Sequence, residues 1–402
     1  MFEIKGKYAT AICYAAVVED EAIEQIRRMC DHEFTAGSRI RIMPDVHSGV
    51  GCTIGTTMTI VDKVVPNIVG VDIGCGMYTV GLGKVDIDFE RMDEAAHYVP
   101  SGKNVWEGRM ERFDLTELRC YRALKDTRRL ERSLGTLGGG NHFIEIDAAA
   151  DGTKYLVIHS GSRSLGLQVA NHYQQLAVDL NLGKEELFAA REELIRTYKE
   201  QGRRKEIQQA LKEMEQAFQP KEPTIPADLC HLYGRFMEDY LHDVEICQRF
   251  ARRSRERMAE IILLRTGMEA RSAFHTVHNY ISVDEMILRK GAIAAHEGEL
   301  VLIPINMRDG SILARGRGNA AWNDSAPHGA GRLMSRSKTR ETLDMDAYRA
   351  AMAGVYTTSV NESTLDEAPM AYKSLEDIMD VIRDSVDVIE VLKPIYNFKA
   401  SD

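Results

Sequence analysis

Four histidines of this 402-residue chain, together with Asp72 and Cys75, sit in five short turns that are glycine-rich or flanked by amides, and these turns are spread over more than half its length. They read Val-Asp72-Ile-Gly-Cys75-Gly-Met, Gly-Gly-Gly-Asn141-His142-Phe-Ile-Glu145, Val-Ile-His159-Ser-Gly-Ser-Arg163, Val-His278-Asn279 and Pro-His328-Gly-Ala-Gly-Arg332. Any fold that uses these side chains together has to return the chain to one place several times. That requirement favours rigid strands that deliver loops to a common edge.

The text around the turns agrees. From about residue 38 to 82, β-branched runs alternate with glycine turns (Ser-Arg-Ile-Arg-Ile-Met, Thr-Ile-Gly-Thr-Thr-Met-Thr-Ile-Val, Gly-Met-Tyr-Thr-Val-Gly-Leu), which reads as short strands. Two more follow at His142-Phe-Ile-Glu-Ile and Tyr155-Leu-Val-Ile-His159, so the first candidate ligands fall at strand ends. Residues 168 to 265 change to Glu-, Lys-, Arg-, Leu- and Met-rich text with apolar positions three or four apart, predicting helices. Within it Gly183 to Gln219 reads as a solvated hairpin or insertion, punctuated by Pro220, Pro223 and Pro226. Strand text returns at Ser272 to Val283, Met286 to Arg289, Glu299 to Pro304 and Ser311 to Arg315, and helices are expected at roughly 344–354 and 374–393. The expectation is an α+β fold forming one large unit over 1–402, with a helical insertion at 168–265.

Composition narrows the class. Hydrophobic residues at 44% and charged residues at 28% suit a globular chain, and no apolar run approaches the roughly 20 residues of a membrane helix. The N-terminal Met-Phe-Glu-Ile-Lys-Gly-Lys-Tyr lacks the pattern of a secretory signal, so a cytoplasmic address is expected. Seven cysteines without tight pairing read as thiols. A net charge of −10 argues against a broad non-specific nucleic-acid coat. It leaves room for local basic patches, since Arg163, Arg289, Lys290, Arg332, Arg336 and Lys338 lie beside the histidine turns.

Carboxylate, thiolate and imidazole are ligands that suit Mn, Fe, Co or Zn, and a thiolate can bridge two cations. Asp72 and Cys75 alone would more often be a turn-capping carboxylate beside a small apolar thiol, and any one histidine is more often structural. Their coincidence with His142, His159 and His278 at strand ends shifts the balance to ligation. His328 differs: Gly329, Ala330 and Gly331 let a phosphate group approach the backbone, and Arg332 supplies charge. It reads equally as a nucleophile toward phosphorus or as a further ligand or loop histidine. His47, in Met-Pro-Asp45-Val-His47, reads as a turn histidine whose ring Asp45 could orient. His172, His231, His242 and His296 have no partner pattern.

Taken together, Met-Pro-Asp-Val-His47, Val-Gly-Val-Asp72-Ile-Gly-Cys75-Gly-Met, Leu-Gly-Thr-Leu-Gly-Gly-Gly-Asn141-His142-Phe-Ile-Glu145, His159-Ser-Gly-Ser-Arg163, Arg-Lys-Gly-Ala292, His328-Gly-Ala-Gly-Arg332-Leu-Met-Ser-Arg336 and Glu367-Ala-Pro-Met-Ala-Tyr372-Lys resemble the RtcB family of GTP-dependent RNA ligases. These segments run from residue 43 nearly to the C-terminus. The resemblance implies an RtcB-like fold of mixed, short-stranded sheets with surrounding helices. It further implies two Mn²⁺ ions on Asp72, Cys75, His142, His159 and His278, with Cys75 bridging, and His328 as the group that takes GMP from GTP. The guanylate would then activate an RNA 3′-phosphate, or a 2′,3′-cyclic phosphate after hydrolysis, for attack by a 5′-hydroxyl. Guanylate contacts carry over onto Asn141, Glu145, Asn279, Ser311, Gly329, Ala330, Gly331, Tyr372 and Lys399, and RNA phosphate contacts onto Arg163, Arg332 and Arg336.

The chain departs from the family at three places. Pro304-Ile-Asn306-Met-Arg308-Asp-Gly310 stands where Pro-Gly-Ser-Met-Gly is common, so the resemblance carries no expectation for contacts from 304 to 307. Val50 occupies a commonly basic position, and Ala-Ser-Asp follows Lys399 in place of a terminal Gly. The ligands and His328 are spared, which suggests a divergent branch serving RNA repair. Two other readings compete: a metal-dependent cyclic-phosphate hydrolase or phosphodiesterase without guanylylation, and a non-catalytic sensor of RNA ends.

Overall fold

The computed structural model describes residues 1–400. Its strands in chain order are β1 (Phe2–Lys5), β2 (Thr10–Cys13), β3 (Ile40–His47), β4 (Ile54–Thr59), β5 (Lys63–Val64), β6 (Gly76–Gly83), β7 (Phe143–Ala148), β8 (Lys154–Ser160), β9 (Leu232–Tyr233), β10 (Ser272–Val277), β11 (Asn279–Ser282), β12 (Ile287–Lys290), β13 (Ala292–Ala294), β14 (Leu300–Asn306), β15 (Gly310–Gly316), β16 (Ser325–Pro327) and β17 (Val386–Lys399). Two sheets dominate: one of six strands in the order β1-β2-β3-β4-β12-β11, and one of seven in the order β10-β6-β8-β7-β17-β15-β14. The helices are α1 (Asp20–Cys30), α2 (Pro66–Val69), α3 (Phe89–Tyr98), α4 (Thr127–Arg132), α5 (Arg163–Asn181), α6 (Glu185–Glu200), α7 (Ile207–Ala217), α8 (Gly234–Thr266), α9 (Arg336–Thr342), α10 (Met345–Ala351) and α11 (Leu375–Val381). The fold is α+β, as expected, and no described helix is long and apolar enough to cross a membrane.

The strand text from 38 to 82 becomes β3, β4 and β6, and the two later runs become β7 and β8. Their near-continuous burial explains the unbroken apolar stretches, since both faces of these strands are covered. The helical text of 168–265 divides by burial. α6 and α7 bury no side chain, as a solvated hairpin should, whereas α5 and the 33-residue α8 contribute buried residues to the interior. The outer helices of that segment are therefore core elements.

One expectation fails. The helix foreseen over 374–393 ends at Val381, and the chain continues as β17 between β7 and β15. Val386, Val388 and Val391 are β-branched side chains that pack well in a pleated sheet, and two potential neighbours with unpaired edges were available only in three dimensions. Pro394, which cannot donate to the ladder, sits where the register with β7 shifts.

Glycines bring the layers close where the ligand turns meet. Gly74 (φ +78°) lies under α8, so that an added Cβ would stand 3.0 Å from Gln248 Cα and Ala251 Cβ. At Gly161 an added Cβ would fall 2.1 Å from an Asp72 carboxylate oxygen, and only glycine lets that side chain in.

Candidate metal centre and adjoining cleft

Asp72 and Cys75 occupy the turn that leads into β6, His142 precedes β7, His159 ends β8 and His278 sits between β10 and β11. Adjacent strands β10, β6, β8 and β7 thus deliver all five side chains to one edge of the larger sheet. Cys75 Sγ lies 3.5 Å from His142 Nε2 and 3.3 Å from His159 Nε2; His159 Nε2 lies 2.9 Å from His278 Nε2, and His142 Nε2 lies 3.1 Å from Asp72 Oδ2. The donor atoms form two groups, Cys75–His159–His278 and Asp72–Cys75–His142, with all atoms of each within 4.8 Å of one another and Cys75 common to both.

The hydrogen bonds behind the rings fix what those rings present. His142 Nδ1 donates to the Leu137 carbonyl at 2.8 Å and His159 Nδ1 to the Asn141 carbonyl at 3.1 Å, so both Nε2 atoms turn bare lone pairs inward. The Asp72 carboxylate is held from behind by the Ser162 amide at 3.0 Å. Burial drives the His159 imidazole far below its ordinary range, with His278 and His142 adding to the effect, and burial with His328 lowers His278 to about 3. Burial, followed by the Asp72 charge, raises the Cys75 thiol well above the usual value. Neutral imidazole lone pairs crowded against a thiol and a carboxylate make an unstable arrangement by themselves, and one that suits divalent cations able to displace the thiol proton. The buried His/Cys/Asp group therefore fits a metal site.

His159 and His278 also line a cleft of about 290 Å³. Its walls include Asn141, Phe143, Glu145, Asn279, Gly329, Ala330, Gly331, Arg332, Arg336, Tyr372 and Lys399, so eight of the nine residues expected to contact guanylate meet here. Ser311 is the exception: on β15 it is fully buried away from the cleft lining. Arg163 also lies outside the cleft, in a smaller recess with Lys103, Arg129, Ser133 and Ser164. Its guanidinium donates to Thr136 Oγ1 at 3.1 Å and the Gly102 carbonyl at 2.6 Å. A larger cavity of about 530 Å³, lined by His242, Arg249, Arg252 and His275 among others, contains none of the five donors and not His328.

Asp45 does not orient His47 with its carboxylate. That group is fully buried and contacts His328, with Oδ2 2.7 Å from Nδ1 and 3.2 Å from the His328 amide, while His47 Nδ1 reaches only the Asp45 carbonyl at 3.0 Å. β16 ends at Pro327, immediately before His328, and Gly331 approaches so closely that an added Cβ would lie 2.9 Å from the Asp45 carbonyl oxygen. With Nδ1 committed to Asp45, His328 has Nε2 available for chemistry.

Glu367 is the other side chain whose role the residue pattern did not reveal. This buried carboxylate receives Lys399 Nζ and Tyr372 Oη at 2.6 Å each, Arg336 at 2.9 Å and Arg332 at 3.3 Å. Although burial opposes ionisation, Lys399 and Arg336 hold its carboxyl down at about 2. Arg332 also donates to the Asp366 carbonyl and Arg336 to the Asp366 carboxylate, so both expected phosphate contacts have internal partners. Glu367 belongs to the same segment as Tyr372, but its cationic partners Arg332, Arg336 and Lys399 each lie more than 30 positions away, beyond any local pattern.

The family model described as tRNA-splicing ligase RtcB matches residues 25–125 and 116–400. Curated relatives span nearly the full length. "RNA-splicing ligase RtcB1" of Escherichia coli strain ATCC 25922 is 30% identical over 94% of this chain and 94% of its own. "RNA-splicing ligase RtcB" of Escherichia coli K12 is 29% identical over the same shares. "tRNA-splicing ligase RtcB" of Aeropyrum pernix is 25% identical over 85% of this chain and 83% of its own. With the family model covering most of its length and its ligand turns folded into one centre, this chain belongs to the RtcB family.

Proposed function

We propose that the protein is an RNA ligase, acting as one ligase domain in the cytoplasm, that joins RNA 3′-phosphate or 2′,3′-cyclic phosphate ends to 5′-hydroxyl ends at the expense of GTP. The observation that carries this reading is the pairing of buried Asp45 with His328 beside two donor groups that share Cys75. Two Mn²⁺ ions held by Asp72, Cys75, His142, His159 and His278 would neutralise charge developing on phosphate oxygens.

Asp45 accepts a hydrogen bond from Nδ1–H of His328 and keeps the Nε2 lone pair directed outward. His328 Nε2 then forms an N–P bond to the α-phosphorus of GTP as the bond to the pyrophosphate oxygen breaks. The guanylate passes from His328 to an RNA 3′-phosphate, regenerating the imidazole, and a 5′-hydroxyl displaces GMP to close the phosphodiester. A cyclic phosphate enters after hydrolysis to the 3′-phosphate. Asn141, Glu145, Asn279 and the 329–331 backbone line the cleft and would hold guanylate, and Arg332 and Arg336 would meet RNA phosphates by exchanging their carboxylate partners. Asn306 accepts the amides of Arg308 and Asp309, and Arg308 pairs with Asp309, so the divergent loop is internally tied at the cleft rim. That loop is the reason to expect repair substrates to be preferred over tRNA halves.

The test is incubation of wild type and His328→Ala with Mn²⁺ and α-labelled GTP, followed by denaturing electrophoresis and acid treatment. An acid-labile, alkali-stable label on wild type alone is expected. An unlabelled wild type with metal bound would leave the hydrolase reading standing.

A further inference from the structure

The cavity of about 530 Å³ lies where α8 meets β10, β11, β13 and β14, and it shares no lining residue with the cleft. Its volume is that of a small-molecule pocket, which is commonly about 300–1,000 Å³. Glu245, Gln248, Arg249, Arg252 and Arg255 recur three or four positions apart, so one face of α8 forms a polar wall. Ile246, Val277, Ala294, Val301 and Tyr280 add apolar surface.

Arg255 differs from its neighbours on that wall. It is fully buried, and burial lowers its guanidinium only to about 10, so it carries its charge at neutral pH. Nη1 donates to the Gly74 and Ser160 carbonyls, while neither Nε nor Nη2 has an acceptor among the described residues. Those two nitrogens form one edge of the guanidinium, the edge that donates in parallel to both oxygens of a carboxylate. Arg253, two positions earlier on the helix, uses the same edge in this way: Nε lies 2.8 Å and Nη2 2.6 Å from the two oxygens of Glu111. Arg249 and Arg252 are paired with Glu117 and Glu256. Arg255 is therefore the lining arginine without a carboxylate. Cys75 and Asp72, the acidic groups that act on it most strongly, belong to the candidate metal centre. A buried charge with no opposite charge of its own is costly, and an anion in the cavity would relieve that cost.

His275 on β10 lines the same cavity. Its ring stacks on Tyr78 with centroids 4.3 Å apart, and Nε2 donates to Glu256 Oε1 at 3.2 Å. Burial lowers this imidazole to about 3, so the ring is neutral and Nδ1, which has no described partner, is a bare acceptor. That atom suits a hydroxyl and not an anion. Glu245 and Glu299 stand in the same lining and would repel a second negative charge. A singly charged carboxylate is consequently favoured over a phosphate dianion.

We propose that this cavity binds a small hydroxycarboxylic acid with an apolar body, its carboxylate on the Nε/Nη2 edge of Arg255, its hydroxyl on His275 Nδ1 and its body against Val277, Ala294 and Val301. The site is separate from the cleft and does not depend on the ligase reading, so a failure of guanylate labelling leaves it standing.

The experiment is calorimetry on the Mn²⁺-loaded protein with 3-phenylpropanoate, its 2-hydroxy and 3-hydroxy derivatives, 3-phenylpropanamide and 2-phenylethyl phosphate. At least one hydroxy acid should bind about threefold or more tighter than the parent acid, and the parent about tenfold or more tighter than the uncharged amide. Ala294→Phe, which fills the cavity from β13, should abolish binding while metal uptake and the denaturant midpoint are retained. His275→Phe, which keeps a ring against Tyr78 but removes the acceptor, should bind the parent acid as before and lose the preference for the hydroxyl. Wild type that binds none of the acids would overturn the proposal, as would an amide equal to the acid or a phosphate ester tighter than the hydroxy acids. Binding that survives Ala294→Phe would place the acids at the metal centre and overturn it as well. Should Ala294→Phe not fold, the amide and the His275→Phe comparison decide by themselves, and a hydroxyl preference that persists in His275→Phe would be the contrary result.

Discussion

The 2.7 Å contact between Asp45 and His328 joins residues 283 positions apart, and it decides which imidazole nitrogen can react. Replacing Asp45 with Asn keeps the shape but presents an amide where Nδ1–H needs an acceptor, so the ring is expected to flip tautomer or rotate. By analogy with other oriented histidines, Asp45→Asn should slow formation of the guanylate adduct by about 10²–10⁴-fold, with metal content unchanged. Single-turnover labelling with parallel metal analysis checks this, and an unaltered rate would remove Asp45 from the chemistry. At this scale the residue types were legible: the five donors and His328 stand out because they recur together in glycine-rich or amide-flanked turns, although each alone would read as structural. What sequence proximity misassigned was the partner of Asp45, because His47 is two residues away and His328 is not.

Among the elements, α8 ties two of the ligand turns together. Arg255, fully buried on this helix, donates from Nη1 to the carbonyls of Gly74 and Ser160 at 2.7 Å each, bracing the Asp72–Cys75 turn and the end of β8 with one side chain. Arg255→Met would leave two buried carbonyls unpaired, each costing about 1–3 kcal/mol. The expected result is a lower denaturant midpoint together with weaker metal binding, while stability lost without any change in metal affinity would show that the brace serves the core alone. Helical periodicity was readable across α5 to α8, but only packing separates α8, with its Arg255, from the solvated α6–α7 hairpin. The 374–393 stretch shows the opposite limit: a short capped helix is followed by a strand whose partners, β7 and β15, lie far away in the chain.

For the whole molecule, the five donors come from turns distributed along the chain, so metal binding and folding are linked. Any ligand that binds only the folded state stabilises it, by about 2.7 kcal/mol at roughly a hundredfold excess over Kd. Mn²⁺ should therefore raise the Tm of wild type, and Cys75→Ser should lose most of that rise because Cys75 belongs to both donor groups. A full shift in the variant would argue that the two groups fill independently of Cys75. The sequence by itself determined the donor chemistry, the strand-end placement of the ligands, the α+β class and the resemblance that family membership bears out. These are local properties, carried by residue type, glycine turns and short-range periodicity. Tertiary structure alone decided that Asp45 serves His328, that Glu367 gathers Lys399, Tyr372, Arg332 and Arg336, and that Ser311 and Arg163 lie outside the cleft. Each of those depends on which distant strand lies alongside, and on how completely water is excluded there, which no window of sequence contains.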